Sequence, residues 1–298
     1  MPNLPPELYP FESRFLDLDG LRLHYLDEGP CGAPGADPVV MLHGNPTWSF
    51  YFRNLVLALR GSYRCIVPDH MGMGRSEKPA DARYPYTLAR RAEDLEALLK
   101  HLGIRARITL VLHDWGGMIG MAYAARHALA IRRIVVLNTS AFHLPKSKPF
   151  PWQLALARTP LGVFLLRGLN LFARSAARTC CRRRPMPREI RHAYLAPYDS
   201  WRNRIALMRF VEDIPLKAHE HSFARVSEVE QSLTLFRETP MLICWGEQDF
   251  VFDRHFLQEW ERRFPRAQVH RFPDAGHYVL EDAHEEIVPL VRAFLAAH

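Results

Sequence analysis

Apolar residues recur along this chain with a period of two in some segments and with helical spacing in others. A period of two on either side of Asp19-Gly20 predicts an antiparallel hairpin formed by residues 15–18 and 21–25. Beyond the hairpin, short apolar runs alternate with helical segments such as residues 88–102, which is typical of a mostly parallel sheet with helices on both faces. The further predicted strands lie in residues 39–42, 65–68, 108–112, 134–137, 241–249 and 268–272. We therefore predict an α/β fold with eight strands.

This alternation of strands and helices stops at about residue 142 and resumes at about residue 227. Eight prolines between residues 145 and 215 separate short helical pieces in this part of the chain. We therefore predict an inserted helical cap at residues 142–226. The first part of the core is then residues 1–141, and the second part is residues 227–298.

The most apolar part of the predicted cap is a helix expected over residues 161–174. Arg167, Asn170 and Arg174 follow helical spacing on one face and leave apolar side chains such as Phe164 and Leu165 for the other faces. These apolar side chains are expected to pack on the core. They could also line a channel for long alkyl chains or enter a lipid interface.

Charge is distributed unevenly between the predicted cap and the core. The chain has 39 Lys and Arg against 32 Asp and Glu, a net charge of +7. Residues 142–225 alone have 16 basic and 5 acidic residues, so the net charge there is +11 and that of the remainder is −4. Three interpretations of the dense basic cluster at residues 178–184 compete. It could be a solvated helix end, a nucleic-acid patch, or a docking surface for an acidic partner or anionic membrane. Nucleic acid is disfavoured because no recognised binding motif accompanies the cluster.

Asp114 stands at the end of an apolar strand, directly before a helix rich in small residues. Such a strand-to-helix turn, with Gly116 and Gly117 allowing close backbone approach, is the pattern of a nucleophile elbow. A carboxylate at this position can displace a leaving group at saturated carbon and form an ester, whereas serine would serve acyl transfer. A helix-capping aspartate is the alternative interpretation.

Two further polar residues follow later strands in the order that a catalytic triad of this type requires. Asp249 comes after the strand at residues 241–249, and His277 lies in a Gly-bearing loop after the strand at residues 268–272. Nucleophile, acid and base in this chain order are typical of α/β-hydrolases. Taken singly, Asp249 could cap a helix and His277 could be a solvated loop residue. His43, His70 and His113 are expected to be structural.

Three motifs together resemble the haloalkane dehalogenase branch of the α/β-hydrolases. They are residues 43–50, 69–76 and 113–117. In that branch the matching side chains donate N–H groups to a departing halide, so the resemblance implies this role for Asn45 and Trp115. Some members take the acid after the strand that matches residues 134–137, but Asn138 stands at that place and leaves the role to Asp249.

Within this branch the chain looks most like the bacterial β-lactone decarboxylases of long-chain olefin biosynthesis. The resemblance implies conversion of cis-3,4-dialkyl-oxetan-2-ones to cis-alkenes and CO2, and the alternative is hydrolysis of 1-haloalkanes through an alkyl-aspartyl ester. It implies a lipid-like substrate and assembly with the other enzymes of olefin synthesis. The carbon that Asp114 attacks stays open. In a non-catalytic alternative, the chain is a scaffold whose basic cap binds acidic partners.

Neither a cofactor nor a metal ion is predicted. His219 and His221 lack neighbouring carboxylate or cysteine ligands, and no phosphate-binding glycine loop is present. The five cysteines have no metal-binding spacing, and neither a signal peptide nor a membrane-spanning segment is visible, so a cytoplasmic location is expected. The cysteines are Cys31, Cys65, Cys180, Cys181 and Cys244.

Overall fold

An eight-stranded sheet runs through the computed structural model, which describes residues 4–30 and 37–298. The strands are β1 (Arg14–Leu18), β2 (Leu21–Glu28), β3 (Pro38–Leu42), β4 (Arg64–Pro68), β5 (Ile108–Asp114), β6 (Ile131–Thr139), β7 (Met241–Gly246) and β8 (Gln268–Phe272). Their order across the sheet is β1-β2-β4-β3-β5-β6-β7-β8. Only the β1/β2 and β2/β4 pairs are antiparallel. The predicted mostly parallel, eight-stranded α/β-hydrolase sheet is confirmed.

Helices connect the strands and cover both faces of the sheet. They are α1 (Arg53–Leu59), α2 (Leu88–His101), α3 (Trp115–Arg126), α4 (Trp152–Ala157), α5 (Pro160–Val163), α6 (Leu171–Thr179), α7 (Arg188–Leu195), α8 (Ile205–Glu212), α9 (Phe223–Ser232), α10 (Arg254–Arg263), α11 (Val279–Asp282) and α12 (His284–Ala297). Because alternate side chains of a strand point to opposite faces, Leu110 and Leu112 join one buried cluster and Val111 joins the other. The parallel strands are therefore buried on both sides, as their continuous apolar sequences predict.

The hairpin at the start of the sheet forms at the place that the sequence predicted. Leu18 pairs with Leu21, and the two intervening residues, Asp19 and Gly20, have φ angles of 56° and 76°. Positive φ at both central positions is the requirement of a tight hairpin turn that matches strand twist, and Asp-Gly meets it at low steric cost. β1 and β2 thus close one edge of the sheet.

The cap segment does not contain the single helix predicted over residues 161–174; that expectation was wrong. α5 passes into a π-helical stretch at Phe164–Gly168, and Asn170 then adopts a left-handed conformation with φ 56° before α6 begins. The buried side-chain amide of Asn170 donates to the carbonyl oxygen of Tyr198 at 3.0 Å. This contact joins the point where the helix is interrupted to a distant part of the cap.

The end of the cap is continuous with the core. α9 begins at Phe223, three residues before the expected boundary at 226, and it contacts α3. Helices α4 to α8 all lie between β6 and β7 in the chain. The loops after the parallel strands and this inserted segment together surround the carboxyl edge of the sheet, where ligands of open α/β sheets bind.

The remaining sequence features concern cysteines, metal ligands and membranes. Cys65, Cys180, Cys181 and Cys244 are free thiols, and Cys31 lies outside the described residues. Residues 4–30 and 37–298 contain no group of three side chains arranged to hold a metal ion. Within those same residues, each helix is too short or too polar to cross a bilayer.

Candidate active site

Asp114 lies at the sharp turn between β5 and α3. Its backbone angles are φ 51° and ψ −127°, which a non-glycine residue adopts only when the surrounding structure holds it there. A Cβ atom added to Gly116 would lie 1.9 Å from the carbonyl oxygen of Leu42, and one added to Gly117 would lie 2.0 Å from Oγ1 of Thr139. The two glycines therefore permit the close contacts that hold the turn, and Thr139 also donates a hydrogen bond to the carbonyl oxygen of Asp114.

The Asp114 carboxylate is buried and held by backbone donors. The N–H of Asn45 donates to Oδ1 at 2.6 Å, and the N–H of Trp115 also bonds the carboxylate. Burial raises the pKa of Asp114, while His277 and the two backbone N–H groups act in the opposite direction. An anion that is desolvated but retains fixed donors is suited to act as a nucleophile.

His277 lies between the two carboxylates that the sequence singled out. Its Nδ1 is 2.7 Å from Oδ2 of Asp249, and its Nε2 is 3.6 Å from Oδ2 of Asp114. Burial alone would lower the pKa of His277, but the adjacent Asp249 and Asp114 carboxylates raise it above its usual value. Asp114, His277 and Asp249 thus lie in the spatial order that a nucleophile–base–acid triad requires, with the imidazole ring between the two carboxylates.

Asn138 is a site residue whose contact the sequence did not predict. Its side-chain amide donates to the carbonyl oxygen of Gly246 at 2.9 Å and to Oδ2 of Asp249 at 3.1 Å, and its Oδ1 accepts from the N–H of Gly246 at 2.8 Å. Asn138 has a φ of 35°. The amide of Asn138 therefore holds the carboxylate of Asp249, which follows the neighbouring strand. A polar residue at the end of β6, adjacent to β7, was the available signal.

Asn45 and Trp115, the expected anion donors, both line the space next to Asp114. The side-chain amide of Asn45 donates to the carbonyl oxygen of Leu207 in the cap at 2.9 Å, so one of its two N–H groups is already used. Trp115 is half-buried, and its ring centroid is 5.3 Å from that of Phe210. The backbone N–H groups of Asn45 and Trp115 are occupied by the Asp114 carboxylate.

The three histidines expected to be structural are buried at this edge of the sheet. His43 accepts at Nε2 from the N–H of His70 at 3.1 Å, which holds two loops together. His113 lies next to the site. Its Nε2 is 3.0 Å from the carbonyl oxygen of His277, and its ring stacks on Tyr51 at 4.2 Å. His113 therefore supports the backbone that carries His277.

A cavity of about 650 Å³ opens above Asp114 and is predominantly apolar. Core and cap both contribute to its walls. Its apolar lining includes Met118, Phe142, Leu154, Leu165, Leu166, Phe172, Val211, Phe252 and Phe256. The buried ammonium group of Lys148 also lines the cavity and is 2.6 Å from Oδ2 of Asp253, so its charge is paired. The lining also includes polar groups of Asn45, Asp114, Trp115 and His277, and a mostly apolar wall with a few polar groups is typical of a binding site for an apolar molecule.

Comparisons with known proteins agree with this architecture. A family model described as alpha/beta hydrolase fold matches residues 37–284. The chain is 53% identical to a cis-3-alkyl-4-alkyloxetan-2-one decarboxylase of Shewanella oneidensis, covering 97% of this chain and 89% of that protein. It is 49% identical to a protein of the same name from Xanthomonas campestris pv. campestris, covering 96% and 97%. The solved structure of haloalkane dehalogenase DbeA from Bradyrhizobium elkani is similar, with a TM-score of 0.83, 25% identity and coverage of 96% and 98%. The chain belongs to the α/β-hydrolase fold family and, within it, to the family of these decarboxylases.

Proposed function

We propose that this protein is a β-lactone decarboxylase that converts cis-3,4-dialkyl-oxetan-2-ones into long-chain cis-alkenes and CO2. The observation that carries the proposal is the Asp114 carboxylate at the buried end of an apolar cavity of about 650 Å³. A cavity of this size can enclose a lipid-sized ligand and leaves much empty space around a small haloalkane. The decarboxylase name of relatives at 53% and 49% identity also supports the assignment.

In the first step we assign Asp114 as the nucleophile toward C4, the saturated ring carbon bonded to oxygen. One carboxylate oxygen of Asp114 forms a bond to C4, and the C4–O bond of the lactone breaks with its electron pair on oxygen. The products of this step are an alkyl ester on Asp114 and a free carboxylate from the former lactone carbonyl. Asn45 and Trp115 are the neutral donors available to receive that carboxylate.

In the second step the new carboxylate leaves as CO2. The bond between the carboxylate carbon and C3 breaks, its electron pair becomes the C3=C4 double bond, and the C4–O bond to Asp114 breaks. Inversion at C4 in the first step, followed by departure of the two groups from opposite faces, keeps the alkyl chains cis. The atoms and charges balance with no water and no net proton transfer, so the route needs nothing beyond the lactone and Asp114.

His277 and Asp249 then have a supporting role in this reaction. With Nε2 at 3.6 Å from Oδ2 of Asp114, a protonated His277 lowers the cost of the buried carboxylate. In its neutral form it could activate a water molecule that hydrolyses a stalled ester, restoring Asp114 and releasing a β-hydroxy acid. Asp249 and Asn138 orient the imidazole ring for either task.

The test is incubation of the purified protein with a cis-3,4-dialkyl β-lactone and detection of the alkene by gas chromatography. We expect cis-alkene from the wild type, and a loss of at least about 10,000-fold in turnover for Asp114→Ala. The variant's thermal unfolding should match that of the wild type, which separates loss of chemistry from loss of fold. Full activity in the variant would refute Asp114 as nucleophile.

Haloalkane dehalogenation is the second candidate, favoured by the position of Asn45 and Trp115 beside Asp114. In that reaction water must cleave the alkyl ester at the Asp114 carbonyl, so an oxygen from solvent enters the aspartate. Turnover in H2¹⁸O followed by mass spectrometry of the Asp114 peptide distinguishes the two reactions. Label in Asp114 together with alcohol and halide from a long 1-haloalkane would replace the decarboxylase assignment, whereas an unlabelled peptide with alkene would support it.

A further inference from the structure

Two cap helices, α4 and α6, place exposed side chains around the opening of the cavity. Six of the residues that line the cavity and are exposed to solvent have large apolar or cationic side chains, and together we call these six the cavity mouth. They are Trp152 and Leu156 on α4, Leu171, Arg174 and Arg178 on α6, and Phe250 after β7. Because these residues lie both in the cavity wall and at the surface, a ligand that enters the cavity from this side contacts them first.

Large apolar side chains of the cavity mouth are exposed to solvent. Trp152 is 70% exposed, Leu171 44% and Phe250 41%. Leu161 and Phe164, in the segment that joins α4 to α6, extend this apolar surface with exposures of 60% and 55%. A cluster of large exposed apolar side chains of this kind is typical of a surface that contacts a membrane, a partner protein or a ligand.

The chain segment that contains five of the six mouth residues is strongly basic. Residues 142–188 include ten Lys and Arg and no Asp or Glu. Lys148, Arg158 and Arg183 pair with carboxylates from other segments. Arg174 and Arg178 form no ion pair with any residue in 4–30 or 37–298. They lie four residues apart, with Leu171 on the same exposed face of α6, so apolar and cationic groups share one face.

We propose that the cavity mouth docks on an anionic lipid bilayer and opens the cavity toward the acyl phase. Apolar side chains that enter the headgroup region, flanked by arginines that meet lipid phosphates, are the combination that holds interfacial helices on membranes. Trp152 adds an aromatic ring of the kind that favours this interface. A membrane leaves the entrance facing a reservoir of apolar molecules, whereas a protein seated on the same residues would cover it. The inference concerns where ligands enter and does not depend on the reaction at Asp114.

Flotation of the purified protein with vesicles, in the absence of substrate, tests the proposal. We expect binding to vesicles of phosphatidylcholine with phosphatidylglycerol, weaker binding to phosphatidylcholine alone, and release by salt. Arg174→Gln/Arg178→Gln should weaken binding to the anionic vesicles about 25-fold, because each arginine near such a surface contributes about fivefold. Trp152→Gln/Leu171→Gln should weaken binding to both kinds of vesicle.

Matched controls come from the opposite edge of the sheet. Arg105 is exposed just before β5, and Leu129 is fully exposed just before β6, so Arg105→Gln/Leu129→Gln removes the same kinds of side chain at a distance from the mouth. The control variant should float like the wild type, and all variants should unfold at the same temperature. Equal binding by mouth and control variants, or no flotation of the wild type, overturns the proposal. So does tight binding to soluble polyglutamate that Trp152→Gln/Leu171→Gln leaves unchanged, since that result identifies an acidic protein site.

Discussion

The side-chain amide of Asn138 lies 3.1 Å from Oδ2 of Asp249, the same oxygen that lies 2.7 Å from Nδ1 of His277. Asn138 is the second-last residue of β6 and Asp249 follows β7, and these two strands are neighbours in the sheet. The carboxylate that bonds His277 is therefore held from the adjacent strand by an uncharged donor.

This geometry predicts that the acid can be moved from one strand to the other. Asp249→Asn should lower turnover about 100-fold, because the imidazole loses the partner that fixes its tautomer and its charge beside Asp114. Asn138→Asp/Asp249→Asn places a carboxylate at the adjacent position and should regain at least about tenfold of that loss, measured as kcat on a β-lactone. Asn138→Ala, which removes only the donor, should cost about tenfold. A folded double variant with no recovery would show that Asn138 has no access to His277.

Gly44 is predicted to be needed for the position of the nucleophile. A Cβ atom at this residue would lie 1.9 Å from Oδ1 of Asp114, so Gly44→Ala must displace the carboxylate from its place beside the Asn45 N–H. We expect turnover to fall at least about 100-fold, since small displacements of reacting groups have such effects. Gly61 has open space around its Cβ position, and Gly61→Ala should leave activity unchanged. Wild-type activity in Gly44→Ala would contradict the geometry.

The indole N–H of Trp115 is predicted to act on the leaving anion. Trp115→Phe retains an aromatic ring to pack against Phe210 and removes only the donor, so it should lower kcat about 100-fold with little change in stability. Asn45→Leu should have a similar effect on kcat and should also loosen the contact with the carbonyl oxygen of Leu207. A change confined to KM would show that the two side chains bind substrate without acting on the transition state.

The raised pKa of His277 predicts that the stability difference between the wild type and a His277 variant depends on pH. Its pKa in the folded protein is raised above the ordinary value of 6.5, so its contribution to stability is fully present below about pH 6.5 and is lost as pH rises through the raised pKa. His277→Asn keeps a donor toward Asp249 without the charge. Its cost in the free energy of unfolding, measured by denaturant titration, should therefore be larger at low pH than at high pH. A cost that is constant with pH would show that the folded protein does not favour the cation.

The strands and the nucleophile elbow could be predicted from the sequence because the signals for them are local. Alternation within a strand, Asp-Gly at the hairpin and the glycines after Asp114 act over a few residues, and the structure has all eight predicted strands. The prediction of one helix over residues 161–174 was wrong because the contact at its interruption is not local. Its interruption at Asn170 is accompanied by a hydrogen bond to Tyr198, and helical spacing contains no information about that partner.

By itself the sequence determined the fold class, the chain order of Asp114, Asp249 and His277, and the presence of a basic, apolar cap segment. Only the tertiary structure decided that Asn138 holds Asp249, that the Asn45 N–H is occupied by Asp114, and that α4 and α6 form an exposed mouth. The physical reason is the distance along the chain between the partners. Periodicity indicates which face of an element is buried, whereas side-chain contacts between strands and inserted helices depend on packing that joins residues 111 and 162 positions apart.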